Sequence, residues 1–236
     1  MSHRRASDLT ILERETIICE SEIAASLDPA ALALLARDSK GVDFRRRRFI
    51  YREGDVADSL YVIDRGRVKI CSVEAATGRE AVIDIVGRGA LFGESSLYSA
   101  GVREKCAIAY ENVRLLRIPA GVYREGMAAS RELYDYTFRM VGQRLSRAER
   151  RVADFALDAI PARLDKLLAE LSERYGREEA GGVLIDLALP HREIASIVGS
   201  TRESVTVRLN ALRRAGIIDF VDRKILIKTP AASAAV

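Results

Sequence analysis

The chain has 236 residues, enough for one large domain or two small ones, and its 48% hydrophobic and 31% charged content excludes disordered and fibrous classes. No apolar run nears the roughly 18 residues that span a bilayer, and the N-terminus lacks the apolar stretch of a signal peptide, so a cytoplasmic location is expected. Three scattered cysteines (Cys19, Cys71, Cys106) and two histidines (His3, His191) form no metal spacing, disulfide framework or His-based triad, and neither a bound metal nor an enzyme is expected.

In chain order, residues 1–27 read as a partly ordered lead-in, and LDPAALALLARDS offers a short helix with Pro29 near its start. From residue 49 to 118 short β-rich runs recur between turn signals. LYVIDRGRVKICSV pairs two runs across Asp64, Arg65 and Gly66, and ATGREAVIDIV turns at Thr77 and Gly78. Many short strands at this spacing predict a small antiparallel barrel or roll. The arginine run at 45–48 reads as a solvated edge strand, because charge along an edge discourages pairing between molecules.

After Pro119 the pattern is helical through SRELYDYTFRMVGQRLSRAERRVADFALD. Tyr134, Phe138, Val141, Leu145, Ala148, Val152 and Phe155 alternate spacings of four and three, a heptad seam, with Arg144, Arg147, Arg150 and Arg151 opposite it. A helix of about 28 residues runs roughly 40 Å, more than a small roll covers, so the seam predicts a partner helix from a second copy. The helix should stop near Leu157 and Asp158; Asp158 could cap the next helix, and Pro161 makes 157–161 a domain boundary and hinge. ARLDKLLAELSERYG then reads as a helix closed by Gly176, and REEAGGVLIDLALP as a loop and one strand. At the C-terminus IIDFV and KILIK flank a turn at Asp222 and Arg223.

Between these lies LPHREIASIVGSTRESVTVRLNALRRAGII. Pro190 opens a short helix with Ile194, Ala195 and Val198 inward, Gly199 turns the chain, and Thr201 caps a second helix whose buried stripe is Val205, Leu209 and Leu212. Two helices joined through Gly and followed by a hairpin describe a winged helix-turn-helix. Arg202, Glu203, Thr206, Val207 and Asn210 project from the free face of the second helix, residue types that address major-groove base edges. His191, Arg192, Ser200, Thr201, Arg223 and Lys224 are placed for phosphates. Residues 190–228 carry eight Lys or Arg against four Asp or Glu, so the chain's net charge of +4 resides there, which suits double-stranded DNA.

The segment IASIVGSTRESVTVRLNALRRAGII, the heptad helix and the glycine-punctuated roll together resemble the CRP/FNR superfamily of bacterial transcription regulators over residues 25–228. The resemblance implies an α+β chain. It would comprise a lead-in (1–27), a cyclic-nucleotide-binding-like β-roll or jelly roll (28–128), a dimerisation helix and hinge (129–158) and a winged helix-turn-helix (159–236). It also implies a homodimer on a palindromic promoter site and contact with RNA polymerase; the expected mechanism is a ligand- or redox-biased rotation of the DNA-binding domains about the hinge, or, with no effector, a constitutively DNA-competent dimer. In GRGALFGESSLYSAGVREKCAIAYENVRLLRI the Gly93–Glu94 pair matches the family's ribose contact and Arg103 its phosphate contact, with Lys105 nearby. Glu104 stands where cAMP-binding members have a small hydroxyl residue, and Ala148 and Glu149 where an adjacent Thr and Ser meet the adenine. No cofactor is therefore assigned, and cAMP is disfavoured as the effector. Arg202 and Glu203 match the reading pair of the cAMP receptor, while Val207 replaces its second Arg, so the half-site should share only part of the family core. A second reading is a cyclic-nucleotide-binding module that acts on a partner protein.

Overall fold

The computed structural model describes residues 5–7, 9–74, 76–98 and 101–228; His3 lies outside them. The chain divides into units 1–146 and 147–236.

In the first unit, strand β1 (Arg5–Ser7) precedes helix α1 (Ile11–Cys19). The lead-in is thus more ordered than its composition predicts. Thr10 and Glu13 form a capping box, each side chain bonded to the other's backbone N–H, and Ile17 and Ile18 are buried. Helix α2 (Pro29–Asp38) starts as expected, with Asp28 as cap and Pro29 in the first turn. Strands β2 (Lys40–Phe44) to β9 (Val113–Pro119) then build two sheets. One has the order β1-β2-β9-β4-β7, with β4 at Ser59–Arg65 and β7 at Leu91–Phe92. The other has the order β3-β8-β5-β6, with β3 at Phe49–Tyr51, β5 at Val68–Val73, β6 at Glu80–Val86 and β8 at Cys106–Ala109.

Two expectations change here. The runs flanking Asp64 to Gly66 do not pair: β4 belongs to one sheet and β5 to the other, so this turn carries the chain across the roll. Gly66 is required there, because its φ is +79° and a Cβ would lie 2.4 Å from the carbonyl oxygen of Asn112. Residues 45–48 are not an edge strand either. They form the turn between β2 and β3, with Arg47 at φ 66° and the backbone N–H of Arg46 held by the Asn112 side chain at 2.9 Å. Charge fits either setting, and alternation over four identical residues carries no phase to tell them apart.

The alternating faces of β4 and β9 separate two cores. Tyr61, Ile63, Val113 and Leu115 face the roll interior with Phe44, Tyr51, Val68 and Phe92. Leu60, Val62, Leu116 and Ile118 face the helices, meeting Ile18, Leu35, Tyr123, Leu133 and Met140. Both faces of β4 are covered, hence its nearly continuous apolar run. Helix α3 (Ser95–Tyr98) is one turn; α4 (Ala120–Ala129) leads into α5 (Arg131–Leu157), whose first turn is capped by the Ser130 hydroxyl, 3.2 Å from the N–H of Leu133.

In the second unit α6 (Ile160–Tyr175) has Pro161 in its first turn, but its cap position is Ala159. Asp158 does not cap it; its carboxylate pairs with Lys166 at 2.6 Å. The segment read as a loop and one strand is a hairpin of β10 (Gly176–Glu179) and β11 (Gly182–Ile185). Gly176 is needed for space rather than for a left-handed turn, since a Cβ would come 2.1 Å from the carbonyl oxygen of Ser172. Helices α7 (His191–Val198) and α8 (Arg202–Arg214) follow, then β12 (Ile218–Val221) and β13 (Lys224–Lys228), giving a sheet of order β10-β11-β13-β12.

Candidate nucleic-acid interface and effector site

The α7–α8 turn forms as its residues predict. Gly199 sits in the left-handed region at φ 62°, and a Cβ there would meet the Phe155 ring at 2.8 Å. The Thr201 hydroxyl accepts from the N–H of Ser204 at 3.2 Å, and Val205, Leu209 and Leu212 are buried against α7, which turns Ile194, Ala195 and Val198 inward. Arg208, on the flank of α8, donates to Asp165 of α6 at 2.7 Å.

Burying that stripe fixes what remains outside. Arg202, Glu203, Val207 and Asn210 are exposed together on α8. Thr206 is half-buried and already engaged: its hydroxyl donates to the Arg202 carbonyl at 2.8 Å and accepts from His191 Nδ1 at 2.8 Å. The His191 ring packs 6.1 Å from Phe220 of the wing. Burial, and secondarily the charge of Arg202, hold this imidazole below its ordinary pKa.

The residues assigned to phosphates separate in the same way. Arg192, Thr201 and Arg223 are exposed, Arg223 at the wing turn beside Asp222, both with positive φ. Lys224 is drawn to Asp186 at 2.5 Å, and the Ser200 hydroxyl is turned inward without a partner.

In the roll, Gly93 and Arg103 meet but Lys105 stays in solvent. Arg103 is only 2% exposed, and its guanidinium lies 4.1 Å over the Tyr51 ring, donating to the carbonyls of Gly93 at 2.9 Å and Ser59 at 2.5 Å. Gly93 has φ +86°, and a Cβ would stand 3.1 Å from the Ser59 carbonyl oxygen and 3.2 Å from Arg103 Nη1. Glycine therefore makes room for the arginine. Glu94 pairs with Arg144 of α5, whose guanidinium also donates to the Leu91 carbonyl. Arg144, expected only on the face opposite the seam, is largely buried. The signal for this lies in the neighbouring positions: Leu133, Thr137, Met140 and Arg144 repeat at four, three and four, forming an inward stripe beside the seam.

That seam is exposed in the single chain. Tyr134, Phe138, Leu145, Ala148 and Val152 face solvent, whereas Val141 is partly buried against the helix-side core. Phe155 leans on Gly199 and lies 5.0 Å from the Arg163 guanidinium.

The residues of the roll site and of the helix-turn-helix fall within two family matches, and the α5 seam lies between them. The cyclic nucleotide-binding domain matches residues 42–130 and the Crp-like helix-turn-helix domain residues 162–232. The chain is 32% identical over 213 residues to a CRP-like cAMP-activated global transcriptional regulator of Mycobacterium tuberculosis, covering 90% of this chain and 95% of that one. The chain belongs to the CRP/FNR family. A global nitrogen regulator of Nostoc is 30% identical over 79% of this chain and 84% of its own length. Among solved structures, a CRP/FNR transcriptional regulator of Thermus thermophilus superposes with a TM-score of 0.64 at 30% identity, covering 80% of this chain and 93% of that one. This CRP/FNR chain is accordingly a transcription regulator with a DNA-binding helix-turn-helix, not an enzyme. No helix among the described residues is long and apolar enough to cross a membrane, and no group of His, Cys, Asp or Glu there could hold a metal.

Proposed function

We propose that this CRP/FNR regulator is a homodimer that reads a palindromic promoter site through α8 and does so without cAMP. The observation that carries the reading is the free face of α8, where Arg202, Glu203, Val207 and Asn210 lie together opposite Val205, Leu209 and Leu212. Arg202 suits guanine, Glu203 the cytosine amino group, Asn210 adenine and Val207 a thymine methyl. Arg192, Thr201 and Arg223 flank this set as phosphate contacts, with His191 packed behind it. Thr206 serves mainly to fix His191 and the helix rather than to read a base.

The apolar seam of α5 supports pairing of two copies, because Phe138 and Leu145 make poor solvent-facing residues unless a second helix covers them. Two such chains place two copies of α8 on one two-fold site. Contact with RNA polymerase follows from action at a promoter.

Independence from cAMP rests on the roll. A phosphate would draw on the donor fork of Arg103, and of its five N–H groups one on each terminal nitrogen is already given to a carbonyl, that of Gly93 or Ser59. Glu104 adds a carboxylate beside that site, and Arg144 already engages the Glu94 carboxylate that the resemblance assigns to the ribose. The two relatives carry different signals in their names, cAMP in one and nitrogen in the other, so the fold leaves the effector open.

The test is selection of DNA from a random pool by nucleotide-free protein, followed by anisotropy titration across a salt series with and without cAMP. A palindromic winner bound equally in both conditions is expected. Binding that requires cAMP would overturn the ligand assignment, and cAMP binding without salt-sensitive DNA affinity would favour a module acting on a partner protein.

A further inference from the structure

The DNA reading uses neither cysteine of the roll, and the fold brings these two together across 35 positions of sequence. Cys71 in β5 and Cys106, the first residue of β8, are direct cross-strand partners in the antiparallel register. Opposed residues in such a pair share a face, with Cα atoms about 4.5 or 5.5 Å apart, and both values fall within the ~4.4–6.8 Å that a disulfide spans. Neither is in a disulfide, and both are buried.

Alternation decides which face they occupy. Val68, Ala107 and Ala109 point into the roll interior, so Cys71, Cys106 and Ile108 point out of it and form a separate small cluster. Phe49 and Val73, themselves partly exposed, pack against that cluster. The sulfurs are thus approached from the outer side of this sheet, where Phe49 and Val73 lie, and not through the main core. The backbone N–H of Glu53 donates to Cys106 Sγ at 3.4 Å, which holds that sulfur beside the β3 end of the roll.

We propose that Cys71 and Cys106 are a dithiol modification site that a hydroperoxide oxidises to an intrachain disulfide. The Cys106 sulfur attacks one peroxide oxygen, breaking the O–O bond and releasing an alcohol, or water from hydrogen peroxide, to leave a sulfenic acid. The Cys71 sulfur then attacks the Cys106 sulfur, the S–O bond breaks, and the hydroxide leaves as water with the Cys71 proton. Two electrons pass from the thiols to the peroxide, so two thiols and one hydroperoxide become one disulfide, one alcohol and one water. The closed loop contains Gly93, Glu94 and Arg103, so the oxidation state of the pair constrains the segment that builds the effector site.

The experiment uses the full chain with Cys19→Ser, since Cys19 is exposed and would crosslink between molecules. After treatment with excess hydrogen peroxide, remaining thiols are alkylated in denaturant and the chain is digested with trypsin without reductant. The expected product is peptide 70–79 joined to peptide 106–114, at monomer mass on a non-reducing gel, and separated again by a dithiol reductant. Recovery of both peptides alkylated, each oxidised to sulfinic acid alone, or joined only between chains would overturn the proposal. With Cys71→Ser added, dimedone should label Cys106; no adduct there would overturn the assigned order of attack. None of these outcomes depends on DNA binding.

Discussion

Replacing Phe138 by alanine should dissociate the dimer and leave the protomer folded. Phe138 keeps 71% of its surface in solvent in one chain and belongs to none of the three hydrophobic clusters described in the first unit. Complete burial of such a side chain is worth about 1.5–3 kcal/mol, so covering the exposed part against a partner helix is worth about 1–2 kcal/mol. A two-fold axis makes the contact twice, which gives about 2–4 kcal/mol per dimer. At about 1.4 kcal/mol per tenfold, the dimer Kd should rise roughly 30- to 700-fold. Sedimentation equilibrium over a concentration series reads that change, and urea unfolding of the dissociated protomer serves as the control. An unchanged dimer Kd would refute the seam as an interface. A protomer destabilised by more than about 1 kcal/mol would show instead that Phe138 serves its own domain.

Four further outcomes are expected. Arg202→Ala should cost about 1–3 kcal/mol on the selected DNA and relax preference at one base pair, whereas Arg223→Ala should weaken cognate and scrambled DNA alike; equal losses on both sequences for both variants would count against base reading by α8. Gly199→Ala should lower the Tm, because the left-handed conformation costs a side chain about 1–2 kcal/mol and the new Cβ must displace Phe155. Glu94→Gln should lower the stability of the roll by about 1–3 kcal/mol in urea titrations by removing the carboxylate paired with Arg144; the partial exposure of the pair and the fields of Asp84 and Glu22 keep the figure under that of a fully buried, isolated pair. His191 has a folded pKa below its unfolded one, so its contribution to stability is complete above about pH 6.5 and is lost as the pH falls through that value toward the folded pKa. Unfolding titrations of the wild type and His191→Gln between pH 5 and 8 should show that slope only in the wild type.

The helix-turn-helix is legible in the sequence because its signals are local. A glycine with positive φ, a Thr cap and a stripe of Val205, Leu209 and Leu212 each act within one turn of the chain, and together they fix which side of α8 stays free. The long helix is legible by period. Other local signals are fainter: the Thr10 and Glu13 box marks α1, and GREEAGGVLI holds two strands around a Gly pair.

Length and heptad spacing by themselves determined that α5 carries an apolar seam, and residue chemistry determined that α8 is built for DNA. Only the tertiary structure decided what the arginines and cysteines do. Arg103 and Arg144 look like cations for solvent or ligand until the roll supplies the carbonyls of Gly93, Ser59 and Leu91 and the carboxylate of Glu94. The strand order β3-β8-β5-β6 likewise sets Cys71 against Cys106. A guanidinium or a thiol takes its role from partners far away in sequence, and strand register, which no local pattern encodes, chooses those partners.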